Sequence, residues 1–159
     1  AGRPVGGPTM LHGHGMRGRM VVGRTDLGGA PREVVVMARR YECQGCGVVV
    51  MVVPRGVLPR LRYSLVAVVT ALVAWGYEGR AGWRVRAEVS PWASSGDERM
   101  HGWRSLGRWV SGLVASGLYV DATAPPRARA GAIATQLAAL APLPTGVVAT
   151  DAVCGALHR

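Results

Sequence analysis

The sequence predicts an α+β protein, with a small antiparallel β unit over residues 1–56 and a helical region over residues 57–159. Three observations predict it. Runs of β-branched residues bounded by Gly- and Pro-rich turns fill 16–53, apolar residues recur at helical spacing from Leu65 onward, and a basic connector at 55–63, with Pro59, separates the two patterns. A chain of 159 residues has room for one ordinary domain or two small ones, and an apolar fraction of 49% supplies a core.

Taken in order, residues 1–15 are rich in Gly and Pro, carry His12-Gly13-His14-Gly15, and read as an irregular lead-in. Strands are expected at 16–22 and 33–41, joined by a turn-rich stretch holding Asp26, Gly28, Gly29 and Pro31. The third strand, 47–53, is so uniformly apolar that it is expected away from any solvent-facing edge, and Pro54 ends it. Ser64 is suited to cap a helix whose Leu65, Val68, Val69, Leu72 and Trp75 form one stripe, with Gly76 closing it in the left-handed conformation. The pattern over 81–96 is weaker, and Ser90-Pro91 suggests a short helix at 91–95.

An amphipathic helix is expected at 98–116. Met100, Trp103, Leu106, Val110 and Leu113 make its apolar stripe, while Asp97, His101, Arg104, Arg108 and Ser111 share another face. Its Gly102, Gly107 and Gly112 each weaken it by about 1 kcal/mol relative to Ala, so packing must hold it. Ala124-Pro125-Pro126 then breaks the chain. An Ala-rich helix at 127–141 with Ile133, Leu137 and Leu140 inward, and a short helix at 148–157, complete the order.

A formal charge of +10 and a pI near 11.1 favour a polyanionic partner, nucleic acid first, because each phosphate met by a basic side chain releases counterions. All 19 basic residues are Arg, however, and the chain has no Lys and no Asn, which is also what GC-rich coding bias produces. Charge alone is therefore weak evidence, although Arg binds phosphate well whatever put it there. Three cysteines make no disulfide framework and fit a reducing cytoplasm. The longest apolar run, 65–75, is too short for a membrane span of about 20 residues, and no signal-peptide pattern opens the chain.

The strongest local signal is Tyr41-Glu42-Cys43-Gln44-Gly45-Cys46-Gly47. Two thiolates at this spacing reach one metal ion, glycines permit the tight knuckle, and a strand on each side matches a zinc-ribbon-like unit. A structural zinc needs four ligands, and His12 and His14, which share a face at i and i+2 in an extended chain, are the candidates to join Cys43 and Cys46. The plainer reading makes the two histidines solvated turn residues. A redox role for the Cys pair is weaker, because such pairs sit at a helix N-terminus. The stretch 13–18 matches a dinucleotide fingerprint in letters only, since no strand precedes it and no helix follows. The acids Asp26, Glu33, Glu42, Glu78, Glu88, Asp97, Glu98, Asp121 and Asp151 are scattered, form no metal-binding nuclease set, and read as solvated charges or caps. No small-molecule substrate site stands out.

For DNA the candidates are Arg104 and Arg108 on the polar face of the 98–116 helix, with Arg99 near its start, as in helix-turn-helix proteins that lay such a face in the major groove. Arg60 and Arg62 before the first helix, with Arg84 and Arg86, could add backbone contacts.

The run 39–47, then Val53-Pro54-Arg55-Gly56-Val57-Leu58-Pro59-Arg60 and Arg62-Tyr63-Ser64, resembles the N-terminal region of bacterial insertion-sequence transposases and related mobile-element proteins. In that family a zinc ribbon precedes helices that bind element ends, and Gly102-Trp103-Arg104-Ser105-Leu106-Gly107-Arg108-Trp109 looks like its arginine-tryptophan helix. The resemblance covers about 11–118 and implies DNA binding with zinc on Cys43 and Cys46. The family also carries a first Cys pair upstream of the His-Gly-His-Gly stretch, which residues 1–10 do not contain. A truncated N-terminus or a decayed metal site would explain that. The family's catalytic domain has no counterpart here, so the sequence predicts a cytoplasmic DNA-binding module without enzymatic activity. The alternatives are a small structural or protein-interaction domain, a relic reading frame, and a nuclease with an acidic site hidden in the sequence.

Overall fold

A computed structural model describes residues 10–93, 96, 102–116 and 121–159. Strands β1 (Leu11–Gly23), β2 (Arg32–Cys43) and β3 (Val49–Val52) form one antiparallel sheet in the order β1-β2-β3. Among the described residues five helical elements follow: α1 (Leu65–Leu72) continuing into a π turn (Val73–Tyr77), α2 (Gly82–Val89), α3 (Arg104–Ala115), α4 (Pro126–Ala139) and α5 (Val148–His158). The α+β class, with strands first and helices after, is as expected.

β1 begins at Leu11, so the His-Gly-His-Gly stretch is strand and not an irregular lead-in. The long β2 offers it partners as far as Cys43, and a bulge between Gly13 and Met16, with Gly15 at φ 82°, absorbs the awkward residues. β3 contradicts its expected placement more sharply. Its four residues are all exposed, and it forms the outer edge of the sheet.

The sheet stands out from the helices as an arm. At its root Val22 N–H donates to the Arg62 carbonyl (2.7 Å), Ser64 N–H donates to the Val22 carbonyl (3.0 Å), and Val21 and Val22 are buried. A Cβ at Gly23 would collide with Ala67 of α1 and the Val89 carbonyl of α2, so this glycine lets the arm enter between two helices. Toward the other end β1 is exposed along Leu11–Arg17.

Helix α1 starts as the sequence predicts, with the Ser64 hydroxyl accepting from Ala67 N–H at 3.0 Å. Every residue from Val66 to Leu72 is buried, because α1 is packed against each of the other four helices. Gly76 does not end it in the left-handed conformation; Gly79, at φ 75°, takes that role after the π turn. Gly76 is needed for close approach instead, since a Cβ there would run into the backbone of Ala130 and Gly131 in α4. Helix α2 is an element that the sequence pattern left weak. Ser90 closes it rather than opening a helix, and its hydroxyl accepts from Trp92 N–H (3.3 Å) and from the Tyr63 hydroxyl (3.1 Å). Residues 91–92 are bends, residue 93 is irregular, and 94–95 lie outside the described residues.

In α3 the expected faces are observed: Leu106, Trp109 and Val110 are buried, while Arg104, Arg108 and Ser111 are exposed. Gly102, at φ 78°, precedes the helix and does not belong to it, and 97–101 lie outside the described residues. Trp103 and Trp109 stack edge-on to each other and to Tyr63, with ring centroids 4.9–5.5 Å apart, tying α3 to the end of the connector. In α4, Ile133 and Leu137 point inward as expected, but Leu140 is exposed at the helix end.

Asp151 in α5 is buried and fully engaged. Its carboxylate accepts from Thr145 N–H (2.7 Å), the Thr145 hydroxyl (2.8 Å) and Gly146 N–H (3.1 Å). The Thr145 backbone and hydroxyl, then Gly146, hold its pKa below the ordinary 3.8 against an opposing desolvation. The ionised form therefore favours the fold at neutral pH, and that contribution fades as pH falls below 3.8 and through the lower folded-state value. Asp151→Asn is expected to lower the melting temperature by several degrees at neutral pH, with the gap from the parent protein narrowing as pH falls below 3.8 in a thermal-melt series.

Candidate nucleic-acid interface

Alternation along β1 places Arg17 and Arg19 on one face of the arm, opposite Ala38 and Val36, and β2 puts Arg40 on that same face opposite Met51. The connector crosses this face. Arg19 fastens it there, its guanidinium donating to the carbonyls of Leu58 (2.6 Å) and Leu61 (2.9 Å). Both carbonyls flank Arg60, which is held at φ 62° and is the one non-glycine residue with positive φ among the described residues. That conformation costs on the order of 1 kcal/mol or more and persists only where surrounding bonds impose it, as Arg19 does here. Beside it Arg62 donates to the Met20 sulfur (3.2 Å) and lies over the Trp92 ring at 5.6 Å.

A groove of about 440 Å³ results, lined by Arg17, Arg19, Arg60 and Arg62 with Met20, Met51 and neighbouring backbone. No carboxylate lines it. Arg60 also borders an adjoining cleft of about 480 Å³, where Arg108 of α3 stands across from the connector above Trp109, Gly112 and Leu113. Arg104 is exposed on the same helix. Among the described residues no carboxylate lies within 4.0 Å of Arg17, Arg60, Arg104 or Arg108.

Of the expected DNA contacts, Arg60 and Arg62 thus share one groove, Arg60 and Arg108 share the next, and Arg99 lies outside the described residues. Arg17 and Arg19 escaped the sequence reading. Their i, i+2 spacing inside a strand was the available signal. Arg86 and Arg84 belong to α2 and line neither of these grooves, the latter lying over the Trp83 ring at 5.1 Å.

Glu88, Glu78 and Asp121 are occupied elsewhere. Glu88 meets Arg80 at 2.5 Å and Arg24 at 4.0 Å, Glu78 meets Arg80 at 3.6 Å, and Asp121 accepts from Thr123, whose hydroxyl and N–H hold its pKa low.

Cys43 and Cys46 form a knuckle-like turn: Cys46 N–H and Gly47 N–H both donate to the Cys43 carbonyl, at 3.4 and 2.8 Å, with Gly47 at φ 68°. Cys43 stands opposite Leu11, whereas His12 stands opposite Glu42, one residue along and hence on the other face of the hairpin. His14 pairs with Glu42, Nδ1 to Oε2, at 2.9 Å. Among the described residues no group of three or more His, Cys, Asp and Glu side chains is arranged to hold a metal ion. No described helix is long and apolar enough to cross a membrane. No protein-family model, no curated protein and no solved structure matches the chain.

Proposed function

We propose that the protein is a DNA-binding module, the DNA-contacting part of a transposase-like mobile-element protein, working in the cytoplasm. The observation that carries this is the groove in which four arginines converge without a carboxylate and which Arg60 continues toward Arg108. Guanidinium groups brought together without counter-charges repel one another, and a run of phosphates relieves that repulsion while releasing its own counterions. In this reading Arg17, Arg60 and Arg62 grip backbone phosphates, Arg19 acts as a positioning residue, and Arg104 and Arg108 face the base edges or the next phosphates. Codon bias explains the number of arginines but not their convergence.

Zinc belongs to the proposal, with the Cys43 and Cys46 thiolates as two of its ligands. Two thiolates fit the metal's chemistry, but His12 and His14 would have to leave the Glu42 side of the hairpin to complete the set. DNA recognition as proposed runs through the arginines and not through the metal.

The test is retention on duplex DNA. The protein is expected to be held at about 50 mM salt and released by a few hundred millimolar, as phosphate contacts dictate. A protein that passes DNA freely at low salt contradicts the proposal.

A further inference from the structure

The cleft beside the arginine groove has an apolar floor for which a phosphate has no use. Leu58 and Leu61 of the connector, Val68 of α1, and Trp109 and Leu113 of α3 line it, and no carboxylate does among the described residues. A second cleft of about 320 Å³ adjoins it across Leu58, Val68 and Leu113 and continues over Leu65, Val69 and Leu137. At about 480 Å³ the first cleft alone has the size of a small-molecule site, about 300–1,000 Å³, and the same character of an apolar lining with few polar groups. Its floor is preformed. Trp109 is 6% exposed and is held edge-on by Tyr63 and Trp103, with ring centroids at 5.1 and 4.9 Å. Gly112 keeps the α3 wall low: it sits inside the helix, where glycine is less favourable than alanine, and nothing lies within 4 Å of the place of a Cβ, so no close packing requires it.

We infer that this cleft binds a single-chain amphipathic carboxylate, a fatty acid of medium length, with its head between Arg60 and Arg108 and its chain along the apolar floor. Charge complementarity selects that class. Arg60 and Arg108 reach the cleft from the connector and from α3, and among the described residues neither has a carboxylate within 4.0 Å. A neutral apolar ligand would leave both guanidinium groups unanswered, and a phosphodiester would leave the floor empty. An alkyl carboxylate answers both, through charge-assisted hydrogen bonds at its head and burial of its methylenes. Arg60 is also fixed in advance. Its φ of 62° is imposed by the bonds from Arg19 to the Leu58 and Leu61 carbonyls, so the backbone that carries this guanidinium is set before any ligand arrives. Arg60 and Arg108 also belong to the proposed DNA surface, so carboxylate and phosphate compete for them; the ligand site itself is tested without DNA, and either reading can fail alone.

Isothermal titration of the full chain with decanoate, below its micelle concentration and without DNA, is expected to show one molecule bound per chain with a dissociation constant on the order of 100 μM or tighter. Acetate, a head without a chain, should give no saturable heat over the same range. Gly112→Leu fills the cleft from a position with open space beside it, and is expected to weaken decanoate binding at least tenfold with a melting temperature no lower than that of the parent protein. Arg60→Gln with Arg108→Gln should weaken it at least tenfold as well, through the head. Arg55→Gln with Arg84→Gln removes the same charge from exposed positions that do not line the cleft, and should leave the affinity unchanged. Absence of saturable binding by the parent protein overturns the inference, whether the cleft is covered by another segment or simply does not hold the chain. So does an affinity matched by acetate, one unchanged in either folded cleft variant, or one that falls equally in the Arg55 and Arg84 pair.

Discussion

Gly155→Ala is expected to destabilise the protein by about 3 kcal/mol, at the upper end of overpacking costs. Helices α4 and α5 meet here so closely that the new methyl group would fall on the Leu137 carbonyl, with the Leu137 carbonyl carbon at 2.9 Å and Ala141 N at 3.1 Å. These are backbone atoms at the end of α4, so no rotamer change relieves the clash and the helices must part. Their separation would loosen Leu137 and Val153, both buried at this contact. Alanine's better helix propensity offsets only about 1 kcal/mol of the cost. Against a total stability of about 5–15 kcal/mol the loss is large, and for a chain of this length it corresponds to a fall of about 10 °C in melting temperature. Gly107→Ala supplies the opposite sign. Position 107 lies within α3 with no atom near the place of a Cβ, so the same substitution should stabilise by up to about 1 kcal/mol in a denaturant titration.

Arg17→Glu with Arg60→Glu is expected to weaken DNA binding by about a hundredfold or more, through two lost phosphate contacts and two new repulsions. Neither side chain pairs with a carboxylate among the described residues, so the folded state loses no ion pair and its melting temperature should hold. Arg60→Glu keeps a Cβ at φ 62°, so the backbone cost at this position is the same in the variant and the parent protein. Arg19→Ala should behave differently. Removing its bonds to the Leu58 and Leu61 carbonyls frees the connector, so both stability and DNA affinity are expected to fall together.

Local period determined which parts of this architecture the sequence reveals. The two faces of α3, the Ser64 cap and the order of strands before helices follow from spacing and residue type over a few turns. What escaped depends on neighbours distant in the chain. The uniform apolarity of 47–53 does not distinguish an inner strand from an edge, because that depends on whether anything pairs beyond it, and β3 proves to be the edge. Gly76 reads locally as a helix terminator, yet its cause is the approach of α4, more than 50 residues later. Arg104 and Arg108 were visible as a helical pair. Arg17 and Arg19 were half legible by strand alternation, and only the tertiary path of the connector brings Arg60 and Arg62 beside them. Cys43 and Cys46 were the clearest letters in the sequence, and they lie apart from the arginine groove in the turn that joins β2 to β3.

The salt dependence of affinity for duplex DNA tests the groove most directly, because the slope of log affinity against log salt counts the phosphates neutralised. With Arg17, Arg60, Arg62 and Arg108 engaged, a slope of about −3.5 is expected for the parent protein, becoming shallower by about 2 in Arg17→Ala with Arg60→Ala. An unchanged slope in that variant, or no measurable binding by the parent protein at low salt, would contradict the assignment of the groove to DNA.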